Sequence, residues 1–175
     1  CLIIIKYRIK IIIPETEVFL DDFDSGYHIL HSMCGTTVNY VITYIDREAG
    51  FAVASRKLAL VKIRAATARR GLEAGQIIDV KVLSVGRGVC TVHYGGYDIL
   101  LPQRDISYSI VSDLREKIHP GEVKKAVVKE YNKEEHILKI SIKETTPHPF
   151  DGIETRHPLK STRIGKIVGK YGGGV

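Results

Sequence analysis

The chain repeats itself, and this limits its fold more than any other feature, because an ordered repeat is one structural unit used again. Ile12-Ile13-Pro14-Glu15-Thr16-Glu17-Val18 matches Leu100-Leu101-Pro102-Gln103-Arg104-Asp105-Ile106: two aliphatics, a proline, two variable polar residues, an acid and a β-branched residue. A glycine follows each match, Gly35 or Gly121, and opens an alternating strand carrying Val38, Tyr40, Ile42 and Tyr44, or Val123, Val127 and Tyr131. A polar turn comes next, at 46–50 or 132–135. Each copy then ends on a strand closing in serine and lysine, Ala54-Ser55-Arg56-Lys57 or Ile140-Ser141-Ile142-Lys143. Gly35 to Ser55 and Gly121 to Ser141 are both 20 residues, whereas the stretch from proline to glycine differs by two, in a connecting segment where insertions are tolerated.

The second copy is complete. Ile77, Val80, Val82 and Val85 predict a first strand, broken at Arg87-Gly88. Val89–Tyr94 is a second strand, Gly95-Gly96 a hairpin turn and Tyr97–Pro102 a third strand. Asp113–Ile118 reads as a short helical turn, Pro120-Gly121 starts the fourth strand, and His136–Lys143 is the fifth. Five short strands with a small helix between the third and fourth is the order of an OB-fold barrel, whose closure removes exposed sheet edges.

The first copy lacks its beginning: one strand, Ile3–Ile13, is predicted where the second copy places three. Such a partial barrel is expected to support Ile3–Ile13 poorly. Arg163–Val175 resembles the first strand and glycine break of the second copy. Leu58–Gly71 has helical composition ended by a glycine, with Leu58, Val61, Ala65 and Ala68 expected to face inward. Thr145–Pro158 holds three prolines without periodicity. The predicted fold class is therefore all-β: five-stranded OB-fold barrels in tandem, one complete and two truncated, joined by a short helix and an irregular linker. The expected divisions are the last part of a first barrel over 1–57, a basic helical linker over 58–71, a complete barrel over 72–144, a proline-rich linker over 145–160 and the start of a third barrel over 161–175.

The formal net charge is +6, unevenly placed. Residues 1–57 carry six basic and seven acidic side chains, and residues 58–71 carry Lys62, Arg64, Arg69 and Arg70 with no acid. The basic excess thus lies largely between the candidate barrels, and suits a polyanionic partner. Cys1, Cys34 and Cys90 form no paired spacing, so reduced thiols in a cytoplasmic protein are expected. There is no apolar run of the ~20 residues a membrane span needs, and no leader or lipidation motif. A chain opening on Cys1 rather than Met reads as an internal fragment.

Catalytic and metal chemistry find little support. His28 and His31 lie three apart near Asp21, Asp22 and Asp24, but this reads as a polar connector between strands rather than a ligand set. Gly172-Gly173-Gly174 is followed by no Gly-Lys-Ser/Thr, so it is not a phosphate loop. No serine, cysteine or carboxylate has an activating constellation. The expectation is a protein that is no enzyme and uses no cofactor, metal or small-molecule substrate.

The pattern Gly75, Val80-x-Val82, Gly88, Gly95-Gly96, Leu101-Pro102 with Asp105-Ile106, Gly121 and Ile140-Ser141-Ile142-Lys143 resembles the S-one type RNA-binding domain family, OB-fold modules repeated in a bacterial ribosomal small-subunit protein. The resemblance spans Gly75–Lys143 and, in part, most of the remaining chain. It implies single-stranded RNA, as mRNA or rRNA, on the face of the second, third and fifth strands, with the ribosome as a further partner. Stacking on aromatics and cations along the phosphates are the physical means. Candidate stackers are Tyr94 and Tyr97, which could equally be packing residues of a small barrel. Candidate phosphate contacts are Lys81, Arg87, Arg104 and Lys139, joined by Arg64, Arg69 and Arg70 of the basic segment. The family usually has aromatics where Arg87 and Cys90 stand, and a histidine at Pro102. Those departures keep two alternatives open: an OB scaffold for protein interaction, and an accessory part of a ribonuclease.

Overall fold

The computed structural model describes residues 1–20, 26–109 and 111–166. In chain order its regular elements are strands β1 (Leu2–Lys6) and β2 (Ile9–Ile13), helix α1 (Gly26–Ser32), strands β3 (Val41–Asp46) and β4 (Phe51–Ser55), and helix α2 (Arg56–Arg70). Strands β5 (Ile77–Val85), β6 (Val89–Tyr94) and β7 (Tyr97–Pro102) follow, then the one-turn helix α3 (Gln103–Ile106), strands β8 (Val123–Asn132) and β9 (Ile137–Ser141), and the one-turn helix α4 (Ile153–Arg156). The protein is mostly β with few helices.

β5 to β9 make one antiparallel sheet in the order β7-β6-β5-β8-β9, which is the strand order expected of an OB barrel. The sheet curls until α3 meets the far edge, where the amide of Ile142 donates to the Asp105 carbonyl at 2.8 Å. Period-two alternation sends Val80, Val82, Cys90, Val92, Ala126, Val128 and Ile140 inward, and Leu114 and Ile118 plug one end of the core. A bulge between Val82 and Ser84 breaks the alternation on β5. Leu83 is thereby buried in the neighbouring core, with Ile13, Ile29, Leu30 and Met33.

β1 to β4 form a second sheet in the order β1-β2-β4-β3. Here the structure corrects the single strand expected over Ile3–Ile13, which is a hairpin, Leu2 pairing Ile13 and Lys6 pairing Ile9. Tyr7 and Arg8 make its two-residue turn with φ of 52° and 66°, the left-handed backbone that such tight hairpins require. β2 then runs parallel to β4, Lys10 opposite Phe51 and Ile12 opposite Val53. Counted from the matched prolines and glycines, β1, β2, β3 and β4 occupy the positions of β6, β7, β8 and β9. Among the described residues no strand holds the position of β5.

α2 joins the sheets. It starts two residues earlier than predicted, where the Ser55 hydroxyl caps it by accepting from the Leu58 amide at 3.1 Å, and it ends at Gly71. Its inward face also differs from expectation. Arg56, Ala59, Leu60, Arg64 and Thr67 are buried, while Leu58, Val61 and Ala65 are exposed. The reason is the Gly95-Gly96 turn lying against the helix: a Cβ on Gly96 would stand 2.6 Å from the Arg64 nitrogen and 2.7 Å from the Leu60 carbonyl oxygen. Helix and turn meet backbone to backbone, and the polar side chains of that face find partners on the barrel.

The proline-rich linker is less irregular than predicted, since a 3-10 turn at Lys143–Thr145 leads into it and it carries α4. Residues 161–166 form no regular element, and the rest of the expected third start, 167–175, lies outside the described residues. So do Asp21, Asp22 and Asp24, while the predicted connector beyond them contains α1. No helix among the described residues is long and apolar enough to cross a membrane.

Candidate nucleic-acid interface

The sequence leaves Tyr94 and Tyr97 of the β6–β7 hairpin open between stacking on a ligand and packing in the barrel. Tyr97 is 3% exposed, its ring edge-on to Tyr131 at 6.1 Å and covered by the Arg64 guanidinium at 4.4 Å. Arg64 is itself 6% exposed and donates through Nε to the Gly96 carbonyl at 3.3 Å. Tyr97 thus takes the packing alternative and Arg64 is buried rather than free along the helix, for one physical cause: α2 packs on the hairpin, and the ring and guanidinium cover one another. Tyr94 is half-buried and packs against the barrel core. Lys81, on β5 opposite His93, turns toward the first sheet, its Nζ donating to the Thr37 hydroxyl at 2.5 Å.

Three cations are exposed but placed apart from the rest. Lys139 on β9 pairs with Glu130 at 2.6 Å, in water, where such a pair is weak. Arg69 and Arg70 end α2, beyond the hairpin tip, where positive charge suits the helix C-terminus.

The other ends of β6 and β7 carry the remaining two candidates, Arg87 and Arg104, and here the fold makes a surface. The Gln103 amide donates to the Gly88 carbonyl at 3.0 Å and the Leu114 amide to the Arg87 carbonyl at 2.9 Å, so the β5–β6 turn is fixed against α3 and the plug. An open hollow of about 560 Å³ lies beside it, lined by Gly88, Pro102, Arg104, Ser107, Tyr108 and Lys143. Lys143 Nζ stands 5.3 Å from the centre of the Tyr108 ring. That ring meets His148 edge-on at 4.6 Å, and His148 lies 5.7 Å from Phe150, which is 65% exposed. Next to Arg87, Asp113 is held at about pKa 2, first by hydrogen bonding from the Arg115 side chain and backbone, with the Arg87 charge adding to it.

The rim therefore combines Arg104 and Lys143 with the rings of Tyr108, His148 and Phe150, and Arg87 stands in the adjoining turn beside Gly88. Sequence reasoning missed Tyr108, Lys143, His148 and Phe150. Tyr108, His148 and Phe150 lie outside the repeat's strands, Lys143 only closes the last of them, and the fold of 142–151 back beside α3 brings them together. Among the described residues no group of three or more His, Cys, Asp or Glu side chains could hold a metal ion.

A nearly closed five-stranded barrel sheet with a cationic, aromatic rim is the architecture of an oligonucleotide-binding module. The chain resembles the S-one type proteins: it is 30% identical over 132 residues to the small ribosomal subunit protein bS1 of Rhodopseudomonas palustris, an alignment covering 74% of this chain and 23% of that protein. It is also 28% identical over 172 residues to the 4-hydroxy-3-methylbut-2-enyl diphosphate reductase of Clostridium acetobutylicum, covering 95% of this chain and 26% of the reductase. The chain thus spans about a quarter of the length of these relatives. Among solved structures, GSP13 from Bacillus subtilis aligns with a TM-score of 0.38 at 18% identity, over 53% of this chain and 75% of that one. No protein-family model matches the chain.

Proposed function

We propose that the chain is an S-one type RNA-binding segment that holds single-stranded RNA, mRNA or rRNA, with low sequence specificity on the rim of the β5–β9 barrel. The observation that carries this is the convergence of Arg104 and Lys143 with Tyr108 around one open hollow, which Gly88, next to Arg87 in the β5–β6 turn, also lines. Cations there track phosphates while the exposed rings offer π-faces that accept any base. The relatives named bS1 support the same reading and add the ribosome, translation and the cytoplasm as its setting. The tandem organisation belongs to this proposal: the first sheet would be a second barrel of the same kind short of one strand, and residues 161–175 the start of a third. Linked modules raise one another's effective concentration, so modest single affinities suffice.

Titration with a labelled pyrimidine-rich single-stranded RNA at two salt concentrations tests the proposal. Saturable binding that weakens as salt rises is expected, and no binding at low salt would overturn it.

One observation favours a second setting for the same activity. The alignment to the reductase runs over nearly the whole of this chain but only 26% of the enzyme. In that setting the segment would be an RNA-binding accessory to a catalytic part elsewhere in a longer polypeptide, with no catalysis of its own.

A further inference from the structure

Lys124, Lys129 and Lys139 of the barrel sheet each face a carboxylate, Glu122 at 2.7 Å, Glu144 at 2.7 Å and Glu130 at 2.6 Å. Lys81 on β5 does not. Among the described residues its ammonium has one partner, the neutral hydroxyl of Thr37 at 2.5 Å. Yet Lys81 is half-buried, in the wall of a cleft of about 120 Å³ between the two sheets. Thr37 and Asn39 line it from the first sheet, Leu83 and His93 from the barrel, and Leu60 from α2. Arg56 reaches the cleft too, but Asp98 neutralises it. An ammonium held between aliphatic walls without a counter-ion has lost part of its hydration and gained no charge in return.

The other polar groups of the cleft suit an anion. Having accepted from Lys81, the Thr37 hydroxyl keeps its own hydrogen to give. His93 Nδ1 lies 2.8 Å from Asp98 Oδ1, and its Nε2 has no protein partner among the described residues. No carboxylate is among the described residues that line the space. The cleft also shares a surface with the rim. Cys90, Val92 and Leu101 point into the core, so the cross-strand pairs Val89–Pro102, Thr91–Leu100 and His93–Asp98 occupy the outer face of the β6–β7 hairpin. Pro102 at one end of that face lines the rim hollow, and His93 at the other lines the cleft. Leu100 between them is 45% exposed. From Val89 to His93 the strand rises roughly 13 Å, within reach of the ~4–16 nucleotides that one such module covers.

We propose that the cleft between the two sheets is a second phosphate site, in which a phosphodiester of an RNA strand leaving the rim along β6–β7 meets Lys81, Thr37 and His93. The proposal rests on the RNA reading of the rim and extends it, because the first sheet then contributes to binding through Thr37. Lysine suits the position: three rotatable donors on one ammonium let it keep the Thr37 contact while it binds a phosphate oxygen. The aliphatic walls at Leu60 and Leu83 lower the local dielectric and strengthen that pairing.

The test compares two pyrimidine-rich RNAs on the full chain: a dodecanucleotide, and a trinucleotide too short to hold rim and cleft together. Lys81→Gln should weaken the dodecanucleotide roughly tenfold at low salt and lower its logarithmic salt slope by about 0.7, the loss of one phosphate contact. Trinucleotide binding should not change, and Lys81→Arg should restore both the affinity and the slope of the longer strand. In the native chain the dodecanucleotide should also protect Lys81 from acylation by an amine-reactive ester, read by mass spectrometry, and the trinucleotide should not. If Lys81→Gln leaves the dodecanucleotide slope unchanged while Arg104→Gln with Lys143→Gln lowers it, the cleft proposal is overturned and the rim reading stands. An equal effect of Lys81→Gln on both RNAs would overturn it too, since Lys81 would then act at the rim or through the general field. A Lys81 effect confined to the longer strand, with the rim variant inert, would support the cleft and contradict the rim. No binding of either RNA by the native chain would overturn both.

Discussion

Arg56 and Asp98 form a bidentate ion pair inside the protein, Nη1 to Oδ2 at 2.6 Å and Nη2 to Oδ1 at 2.8 Å, with both side chains 2% exposed. Arg56 opens α2, and Asp98 stands on β7 of the barrel, so the pair fastens one sheet to the other. Nη1 also donates to the Val18 carbonyl at 2.8 Å, and His93 Nδ1 lies 2.8 Å from Asp98 Oδ1, so the desolvated charges have further hydrogen-bond partners. Removing one member leaves the other buried and uncompensated. Arg56→Met or Asp98→Asn should each cost about 3–5 kcal/mol in urea unfolding, and the double change Arg56→Met with Asp98→Leu should cost markedly less than the two together.

The same pair sets an acid limit on stability. Burial alone would raise the Asp98 pKa, but hydrogen bonds from Arg56 and His93, together with their charges, outweigh it and hold the carboxyl below its ordinary 3.8. A depressed folded value means that the stabilisation is complete above the unfolded pKa and fades as pH falls through the folded one. Denaturation midpoints should therefore hold down to about pH 4 on account of this group and drop below it. In Asp98→Asn the part of that acid decline due to this group should disappear.

Gly96 tests the contact between α2 and the hairpin. Its φ is +88°, and an added Cβ would meet helix backbone at 2.6 and 2.7 Å, where no side chain can swing aside. Gly96→Ala should destabilise by roughly 2 kcal/mol or more, because close packing and backbone conformation are both violated. Gly88→Ala, where nothing lies within 4 Å, should cost well under half of that in the same thermal unfolding assay.

The thiols should separate cleanly. Burial, assisted by the Glu122 charge, pushes the Cys90 thiol up to about 12. At pH 8 iodoacetamide should modify exposed Cys1 and Cys34 and leave Cys90 untouched until the chain unfolds, as mass spectrometry of the digested protein would show.

Much of the barrel was legible in the chain. β6 and β7 fall on their predicted bounds because the Gly95-Gly96 turn interrupts two clear alternations. The β1–β2 hairpin was hidden because its turn is Tyr7-Arg8, two residues with no turn preference, set between isoleucines on both sides. The buried face of α2 was hidden for another reason: Arg56, Arg64 and Thr67 look solvated until their partners, distant in sequence, are in place. Of the proposed RNA contacts, Arg104 lines the open hollow and Arg87 lies in the turn beside it. The aromatic half of that rim is a tertiary convergence that no local pattern announces.

The rim makes the most direct claim open to measurement. Single-stranded RNA binding should weaken with salt at a logarithmic slope of about 0.7 per phosphate contact, so the combined variant Arg87→Gln, Arg104→Gln and Lys143→Gln should lower the slope by about 2. Tyr108→Ala should weaken binding about tenfold with little change in slope, as a stacking loss would. Lys139→Gln, on the exposed Glu130 pair, should change little. The salt slope of RNA affinity for the native chain against the triple variant is the deciding comparison. A fall of about 2 bears the account out, and an identical slope and affinity would contradict it.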